Sequence, residues 1–467
     1  MLTYDLEQAT GPLYQYIYQC LKDDIMTGGL QAGDKLPSKR TFARNHGIST
    51  ITIQNAYDQL ISEGYIYTVP KKGYYVAKIR GMRQVPKETN LSLNIQRQEK
   101  KVEYAVDLSD NRMSPERFPF TVWAKIGREI MSDHKSELME PSPAGGMRAL
   151  REAVAEHLKS YRAMLVDPDQ IVVGAGTEYL YSLLVQLLAP RSTYCLEDPG
   201  YKKIAQVYKR CGVTCRYGRL DDQGITVDSL KRSGADIAHI SPNHHFPTGI
   251  TMPASRRYEV LAWANEKEGR YLIEDDYDSE FRLGGRPVPT LFSIDACEKV
   301  IYMNTFSKSL TPTIRISYMV LPVHLANRFY EELSFYSCTV SNFEQYTLAA
   351  FIKQGYFEKH INRMRLYYAR QRQKIKEVLE KGAPGLPCEI RENDSGLHFL
   401  LHLKTDLTDR EVVKKLAEQG VRVHALSEYY TKKQGEEHFF IINYSNLDVE
   451  KAAAAMEIIA DVTGGKL

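Results

Sequence analysis

The feature that most limits the fold is an alternation of short apolar strands with helical stretches, which begins near residue 105 of this 467-residue chain. Six segments carry it: QIVVGAG, TYCLED, DIAHISP, RYLIEDDY, KVIYMNT and ISYMVLP. This rhythm predicts a mainly parallel α/β sheet with helices on both faces. Nearer the C-terminus, LHFLLHL and FFIINYS lie among helices and predict a smaller α+β subdomain.

Residues 1–78 follow a different pattern. Apolar residues recur at helical spacing from Leu13 to Ile25, and this helix stops at Gly28. Two further helices are predicted to begin at the capping residues Ser38 and Ser49. The segment YIYTVPKKGYYVA then reads as a β-hairpin. Three helices followed by a hairpin predict a winged helix-turn-helix domain.

In that geometry, the helix that begins at Ser49 enters the major groove of DNA, and the wing reaches the backbone or the minor groove. Side chains with donors and acceptors on this helix can contact base edges or phosphates. The candidate contacts on this helix and the wing are Thr50, Thr52, Gln54, Asn55, Lys71, Lys72 and Gly73. The alternative is a winged helix used only for protein contacts.

The segment 79–104 between the two patterns is polar and basic, and it predicts a linker. The net charge of the whole chain is only +3, so a nucleic-acid role must come from a local surface. The seven cysteines lack metal-ligand spacing, and the N-terminus lacks an apolar signal segment. We therefore expect a reduced, cytoplasmic protein without a structural metal, in which 105–467 forms the second domain.

The residues that follow the predicted strands form a consistent set. Ligands of open α/β sheets bind at the carboxyl ends of strands. Lysine is rarely buried without a partner, yet Lys308 precedes an apolar stretch and is expected to be half-buried. The candidate ligand-binding residues at these ends are Gly176, Thr177, Tyr201, Asn243, His244, Asp275, Tyr277, Ser307, Lys308 and Arg315.

One ligand uses all of these groups: a planar, phosphorylated pyridine aldehyde, which is pyridoxal 5'-phosphate (PLP). Lys308 can form an imine with the aldehyde, and Asp275 can keep the pyridine nitrogen protonated. Arg315, Ser307 and the amides of the Gly176–Thr177 turn can bind the phosphate. Tyr277 can donate to the ring hydroxylate and Tyr201 can stack on the ring, while Asn243 and His244 supply hydrogen-bonding side chains nearby. Each residue alone also has an ordinary structural explanation.

The motifs EDDYDSEF, TFSKSL and RISYMVLP resemble those of fold-type I PLP-dependent aminotransferases, and LPSKRTFARNHGISTITIQNAYDQLISEGYIY resembles the GntR winged-helix domain. Joined in this order, they resemble the MocR family of bacterial transcription regulators. The resemblance implies a cytoplasmic homodimer, with each head over the large domain of its partner, in which PLP acts as a signal. It implies that Lys308 is the Schiff-base lysine, and that Ser38, Arg40 and the helix from Ser49 to Asn55 contact the operator.

Departures from the family pattern qualify this resemblance. Ser49 is followed by Thr50 where GntR proteins often have arginine, and Gly73 is the one glycine left at the tip of the wing. Ile441 occupies the position of the arginine that binds a substrate carboxylate in aminotransferases. An ordinary α-amino-acid transaminase is thereby disfavoured, although Lys203 or Arg422 could substitute.

Glu428 stands where a cationic residue of the family can anchor an acidic effector. A negative side chain there favours an effector with an exposed amine, which points to D-alanyl-D-alanine or to PLP alone. The sequence therefore predicts a PLP-dependent transcription regulator that is not an enzyme. Two alternatives stay open: a working aminotransferase with a DNA-binding head, and a constitutive repressor in which PLP is structural.

Overall fold

The computed structural model describes residues 4–79, 102–110, 112–188, 192–284, 288–381, 388–391, 396–432 and 437–464. The chain divides into two units, Met1–Lys100 and Lys101–Leu467. Most of the predicted linker lies outside the described residues, so the domain boundaries 1–78, 79–104 and 105–467 stay predictions.

The first unit is a winged helix-turn-helix domain, as the sequence predicts. Its elements are α1 (Leu13–Thr27), β1 (Lys35–Leu36), α2 (Lys39–His46), α3 (Thr50–Ser62), β2 (Ile66–Val69) and β3 (Gly73–Val76). The two serines act as predicted, since Ser38 accepts a hydrogen bond from the Thr41 amide and Ser49 accepts one from the Ile51 amide. The sequence missed β1, which pairs antiparallel with β3 and is only two residues long.

The helices of the second unit cover both faces and one end of its sheets. They are α4 (Phe120–Asp133), α5 (Lys135–Met139), α6 (Arg148–Arg162), α7 (Thr177–Leu187), α8 (Lys202–Arg210), α9 (Val227–Ser233), α10 (Ala254–Asn265), α11 (Leu291–Ile294), α12 (Phe306–Ser309), α13 (Val323–Glu332), α14 (Asn342–Lys353), α15 (Tyr356–Lys381), α16 (Asp409–Glu418) and α17 (Val449–Thr463).

The strands of the second unit form one large sheet and two smaller ones. They are β4 (Val106–Asp107), β5 (Ile171–Gly174), β6 (Thr193–Asp198), β7 (Thr214–Asp221), β8 (Gly224–Ile225), β9 (Ile237–Ile240), β10 (Tyr271–Asp275), β11 (Val300–Thr305), β12 (Ser317–Val320), β13 (Cys388–Arg391), β14 (His398–Leu403), β15 (Val421–Arg422), β16 (His424–Ala425) and β17 (Phe439–Asn443).

The large sheet has the order β5-β12-β11-β10-β9-β6-β7-β8. Strands β11, β10, β9, β6 and β7 run parallel, while β12 is antiparallel to both of its neighbours and β8 is antiparallel to β7. Ile301 and Met303 of β11 pack with α7 and α13, whereas Tyr302 packs with α6. Helices therefore cover both faces, which confirms the predicted α/β architecture.

The predicted α+β subdomain is also present. Strands β13, β14, β17 and β16 form an antiparallel sheet in that order. The loop after β16 reaches the large sheet, where the Gly200 amide donates to the Tyr429 carbonyl at 3.3 Å and the Thr431 amide donates to Asp198 Oδ1 at 2.9 Å. A cavity lies between this loop and the carboxyl ends of the parallel strands.

Candidate functional site

The cavity has a volume of about 840 Å³, which is the size of an ordinary small-molecule site. The predicted residues that line it are Thr177, Tyr201, Lys203, Asp275, Tyr277, Ser307, Lys308 and Arg315. They come from four elements and three connecting loops, and parallel topology brings them together because the carboxyl ends of the strands share one edge of the sheet.

Lys308 lies in α12, directly after β11, and its side chain is half-buried as the sequence predicts. Among the described residues, nothing forms a hydrogen bond or an ion pair with its ammonium group. Burial lowers the pKa of Lys308 below that of an ordinary lysine, and the carboxylates of Asp278 and Asp110 offset only part of this effect. Lys308 thus has a larger neutral, nucleophilic fraction than an exposed lysine.

Asp275 ends β10 and is almost fully buried. Its Oδ2 accepts a hydrogen bond from the Tyr181 hydroxyl at 2.8 Å and lies 3.2 Å from His239 Nε2. Its Oδ1 is buried and has no hydrogen-bond partner in the part of the chain that the structure describes. A buried, unpaired carboxylate oxygen is costly unless a ligand donates to it. The protonated nitrogen of a pyridine ring is a donor of the required kind.

Sequence reasoning missed Tyr181 and His239 as members of the site. His239 lies in β9, and its Nδ1 contacts the Tyr208 hydroxyl at 2.8 Å. A carboxylate can only accept, so Nε2 carries the proton and donates to Asp275, and Nδ1 of the neutral ring accepts from the Tyr208 hydroxyl. The one sequence signal was a histidine inside an otherwise apolar strand, DIAHISP, because such a residue needs a buried partner.

The predicted phosphate-binding residues lie together at one end of the cavity. Arg315 Nη2 is 2.5 Å from Glu178 Oε2, and the other oxygen of Glu178 pairs with the ammonium of Lys203. The hydroxyl oxygen of Ser307 is buried without a hydrogen-bond partner. The Gly176 amide donates to the Gly174 carbonyl at 2.8 Å, so this amide already has an acceptor.

Tyr277 and Tyr201 form the sides of the cavity. The hydroxyl of Tyr277 is 3.1 Å from Nδ1 of His244, and that nitrogen is also 2.8 Å from Asp278 Oδ2. Tyr201 precedes α8, and 49% of its surface is exposed. Its ring meets that of Phe246 edge to face, with 5.9 Å between the centroids.

Four predicted contacts do not line the cavity: Gly176, Asn243, His244 and Glu428. Asn243 is buried behind it, where Nδ2 donates to Asp276 Oδ1 at 2.8 Å and to Glu274. His244 reaches the cavity only through Tyr277. Glu428 turns back to the Ala425 amide, at 2.9 Å, and to His424. The turn after β9 and the loop after β16 direct these side chains inward or along the backbone, which their sequence positions do not indicate.

Ile441, at the position of the missing arginine, lies in β17 and is almost fully buried. It packs in an apolar cluster with Leu400 and Leu426. The aromatic rings of Phe246 and Tyr429, both of which line the cavity, cover this cluster. This wall therefore offers apolar surface where an amino-acid transaminase has a cation.

The head exposes most of the predicted DNA contacts. Ser38, Arg40, Ser49, Thr50, Gln54, Asn55, Lys71 and Lys72 are exposed, whereas Thr52 and Gly73 are half-buried. Lys71 has φ +60° and Gly73 has φ +116°. Both turn residues thus lie in the left-handed region, although only one of them is glycine.

The described residues show neither a metal centre nor a membrane-spanning helix. They contain no group of three or more His, Cys, Asp or Glu side chains that could hold a metal ion. None of the described helices combines the length and the apolar character needed to cross a membrane.

A winged-helix head and a fold-type I aminotransferase unit define this chain as a regulator-like fusion protein. Residues 13–76 match the bacterial regulatory proteins of the gntR family, and residues 104–459 match aminotransferase class I and II. The chain belongs to the MocR family, in which a GntR head is joined to an aminotransferase-like domain of a PLP-dependent class. This confirms the resemblance found in the sequence.

Several relatives are transcription regulators. The HTH-type transcriptional regulator YdeL of Bacillus subtilis is 36% identical over 422 residues, which cover 90% of each chain. The probable rhizopine catabolism regulatory protein MocR of Rhizobium meliloti is 29% identical, over 96% of this chain and 93% of its own length. PdxR of Corynebacterium glutamicum, a pyridoxine biosynthesis regulator, is 29% identical over 87% of this chain and 86% of its own length.

Solved structures agree on the fold of the second unit. A multiple substrate aminotransferase from Thermococcus profundus superposes with a TM-score of 0.69 at 22% identity, covering 81% of this chain and 97% of the other. The kynurenine aminotransferase of Pyrococcus horikoshii gives 0.68, also at 22% identity, with the same coverage. At this level of identity the likeness concerns the fold alone.

Proposed function

We propose that this chain is a transcription regulator whose affinity for its operator depends on PLP, with or without an amine-bearing effector. The observation that carries the proposal is the cavity wall itself. Among the described residues, Lys308 has no hydrogen-bond or ion-pair partner, and two buried oxygens, Asp275 Oδ1 and Ser307 Oγ, accept no hydrogen bond. These three groups match an aldehyde, a pyridinium N–H and a phosphate, which one PLP molecule presents together.

When bound, PLP would supply an aldehyde that reacts reversibly with amines and a ring that withdraws electrons. Lys308 would hold it through Nζ, and Asp275, fixed by Tyr181 and His239, would keep the ring nitrogen protonated. Tyr277 would donate to the ring oxygen, Tyr201 would cover the ring, and Arg315, Ser307 and Thr177 would bind the phosphate. The amine of an effector could then take the place of Lys308 Nζ.

The lining of the cavity bears on the class of effector. Lys202 and Lys432 line it, and so does Lys203, which is paired with Glu178, whereas Glu428 does not line it. The preference for D-alanyl-D-alanine or PLP alone, which rested on Glu428, therefore lacks a supporting contact. We propose an amine that also carries an anionic group, or PLP alone. Either ligand can shift the equilibrium between two conformations of the regulator only if it binds one of them more tightly than the other.

An enzyme with a DNA-binding head is the second candidate, because the cavity contains the residues that PLP chemistry needs. The apolar cluster around Ile441 argues against an α-amino acid as its substrate, since a carboxylate there would meet no cation. We propose a sensor rather than a transaminase, and a homodimer as its working form. Sedimentation or light scattering of the purified chain tests the homodimer directly.

The deciding experiment is visible absorbance of the purified chain with PLP, during titration with α-amino acids, γ-aminobutyrate, taurine and D-alanyl-D-alanine. Lys308→Ala is the control. A PLP band that shifts with one compound and then stays constant supports the sensor. A band that decays to the amine form of the cofactor, and recovers with a keto acid, establishes transamination.

Operator binding completes the test. A DNA sequence selected from a random pool by the full chain provides the probe, and its affinity is measured with and without PLP. A PLP-dependent change that Lys308→Ala abolishes supports the proposal. Affinity that is the same in both conditions points instead to a constitutive regulator with structural PLP.

A further inference from the structure

Glu178 is an acidic residue in the part of the cavity where a phosphate would bind. It is the second residue of α7, and its carboxylate bridges two cations. Arg315 Nη2 lies 2.5 Å from Oε2, and the ammonium of Lys203 pairs with Oε1. Only 27% of the Glu178 side chain is exposed, so water screens these ion pairs incompletely.

The bridge lies directly on the backbone of the turn before α7. Gly176 has no Cβ, and a Cβ built there would lie 2.1 Å from Arg315 Nη2 and 2.8 Å from Glu178 Oε2. The guanidinium and the carboxylate therefore occupy the space above the glycine that a phosphate would use to approach the start of α7.

The carboxylate is charged at neutral pH. Burial raises the pKa of Glu178, but Lys203, the helix backbone and Arg315 outweigh this effect and lower it to about 2. A phosphate that binds Arg315 would consequently meet a negative charge already in place. Two anions this close repel each other strongly in a partly buried site.

We propose that Glu178 is a specificity-determining residue that competes with phosphate for Arg315 and Lys203. It neutralises both cations in the absence of ligand and must release Arg315 when a phosphate enters. Inorganic phosphate and phosphorylated compounds without an aldehyde then bind poorly. PLP binds because Lys308 and Asp275 add interactions that those compounds cannot make. The inference rests on the proposed PLP-dependent function and adds the basis of its selectivity.

The opposite role is also conceivable for a residue in this position. Arg315 has five N–H donors, and Glu178 engages only one of its nitrogens. If Glu178 oriented Arg315 for phosphate, removing its charge would weaken phosphate binding. If it competes, the same change strengthens phosphate binding. The two roles therefore predict effects of opposite sign.

The test is Glu178→Gln, which keeps the shape of the side chain and removes its charge. Dissociation constants for inorganic phosphate, PLP and pyridoxal are measured by titration calorimetry on the full chain. We expect phosphate and PLP to bind roughly tenfold more tightly to the variant, because one repulsive charge is gone. Pyridoxal, which has no phosphate, should bind within about twofold of the unchanged protein. Equal or weaker phosphate binding overturns the inference.

Glu178→Asp is the matched control, because it keeps the charge and should not tighten phosphate binding. Glu178→Ser is a second neutral variant if Glu178→Gln does not fold, as judged by thermal melting. Failure of the proposed function looks different, since the affinity of the unchanged chain for its operator would then be the same with and without PLP. Equal PLP affinity in the unchanged chain and the variant refutes only the role of Glu178.

Discussion

At the scale of single residues, three residues that line one cavity of the second unit carry polar groups without a hydrogen-bond partner among the described residues. Lys308 Nζ, Asp275 Oδ1 and Ser307 Oγ lack partners among the described residues, although Asp275 is otherwise well anchored by Tyr181 and His239. Unpaired buried polar groups cost free energy, and these three belong to residues that line the same cavity, so one ligand bound there could satisfy all of them.

The depressed pKa of Lys308 predicts how PLP capture depends on pH. Burial disfavours the ammonium form, so the neutral amine that attacks an aldehyde is populated at lower pH than in an exposed lysine. The pH at which PLP capture is half complete, followed by visible absorbance, should be lower for the protein than for Nα-acetyl-lysine in solution. Coincident midpoints would mean that the site leaves the reactivity of this lysine unchanged.

Ile441→Arg tests whether a carboxylate-binding arginine can simply be restored. The new charge would lie in an apolar cluster without an anionic partner, so we expect a loss of at least about 2 kcal/mol in the free energy of unfolding. Urea denaturation measures this loss. Ile441→Met, which conserves volume, should lose less than about 1.5 kcal/mol. An arginine variant as stable as its parent would contradict the packing argument.

At the scale of elements, the turn of the wing has a lysine where its backbone conformation favours glycine, and this residue changes both the strain and the charge of the wing. Lys71 has a positive φ in the turn between β2 and β3, where a residue with a Cβ is strained. Its ammonium group is exposed at the tip of the wing. We infer that the positive charge of Lys71 favours DNA binding, and that this benefit offsets the strained backbone at this position.

Lys71→Gly separates these two effects. Relief of the left-handed strain, about 1–2 kcal/mol, is partly offset by the greater freedom of glycine in the unfolded chain, so stability should change by less than about 1 kcal/mol. The lost charge should reduce the slope of log affinity for duplex DNA against log salt by about 1. Fluorescence anisotropy over a range of salt concentrations measures the slope.

Lys71→Arg provides the control for the wing, because it keeps both the charge and the strained backbone. Its salt slope should match that of the unchanged chain. A Lys71→Gly variant with an unchanged slope would show that the tip of the wing does not contact phosphates.

At the scale of the whole molecule, the chain has two separate groups of buried residues. The core of the head draws on residues from Ile17 to Val76, and the cores of the second unit begin with Val106. Each unit can therefore bury its apolar surface without the other. A ligand that binds one unit should therefore stabilise that unit more than the other.

Calorimetry can test this separation. We expect two unfolding transitions. PLP should raise the midpoint temperature of the transition that belongs to the second unit and leave the other midpoint unchanged. When the concentration of free PLP is a hundred times its dissociation constant, the free energy of unfolding of the second unit should increase by about 2.7 kcal/mol. Lys308→Ala should reduce the gain at the same PLP concentration. A single transition, or an equal rise in both, would show that the two units unfold together.

The sequence alone determined the main helices and strands and the class of the protein, but not short strands such as β1. Capping at Ser38 and Ser49, and the strands that end at Asp275 and Thr305, depend on residues close in the chain, so local patterns predicted them. Parallel topology then follows from the alternation of strands and helices. It places Lys308 beside Asp275 because all parallel strands end at one edge.

Only the tertiary structure decided which side chains reach the cavity. Tyr181 and His239 form hydrogen bonds with Asp275, and Glu178 pairs with Arg315, because of the way α7 packs on the sheet and of the face of β9 that carries His239. Asn243 and Glu428 point elsewhere for the same reason. The direction of a side chain depends on the rotation and packing of its element, which involve residues far apart in the sequence.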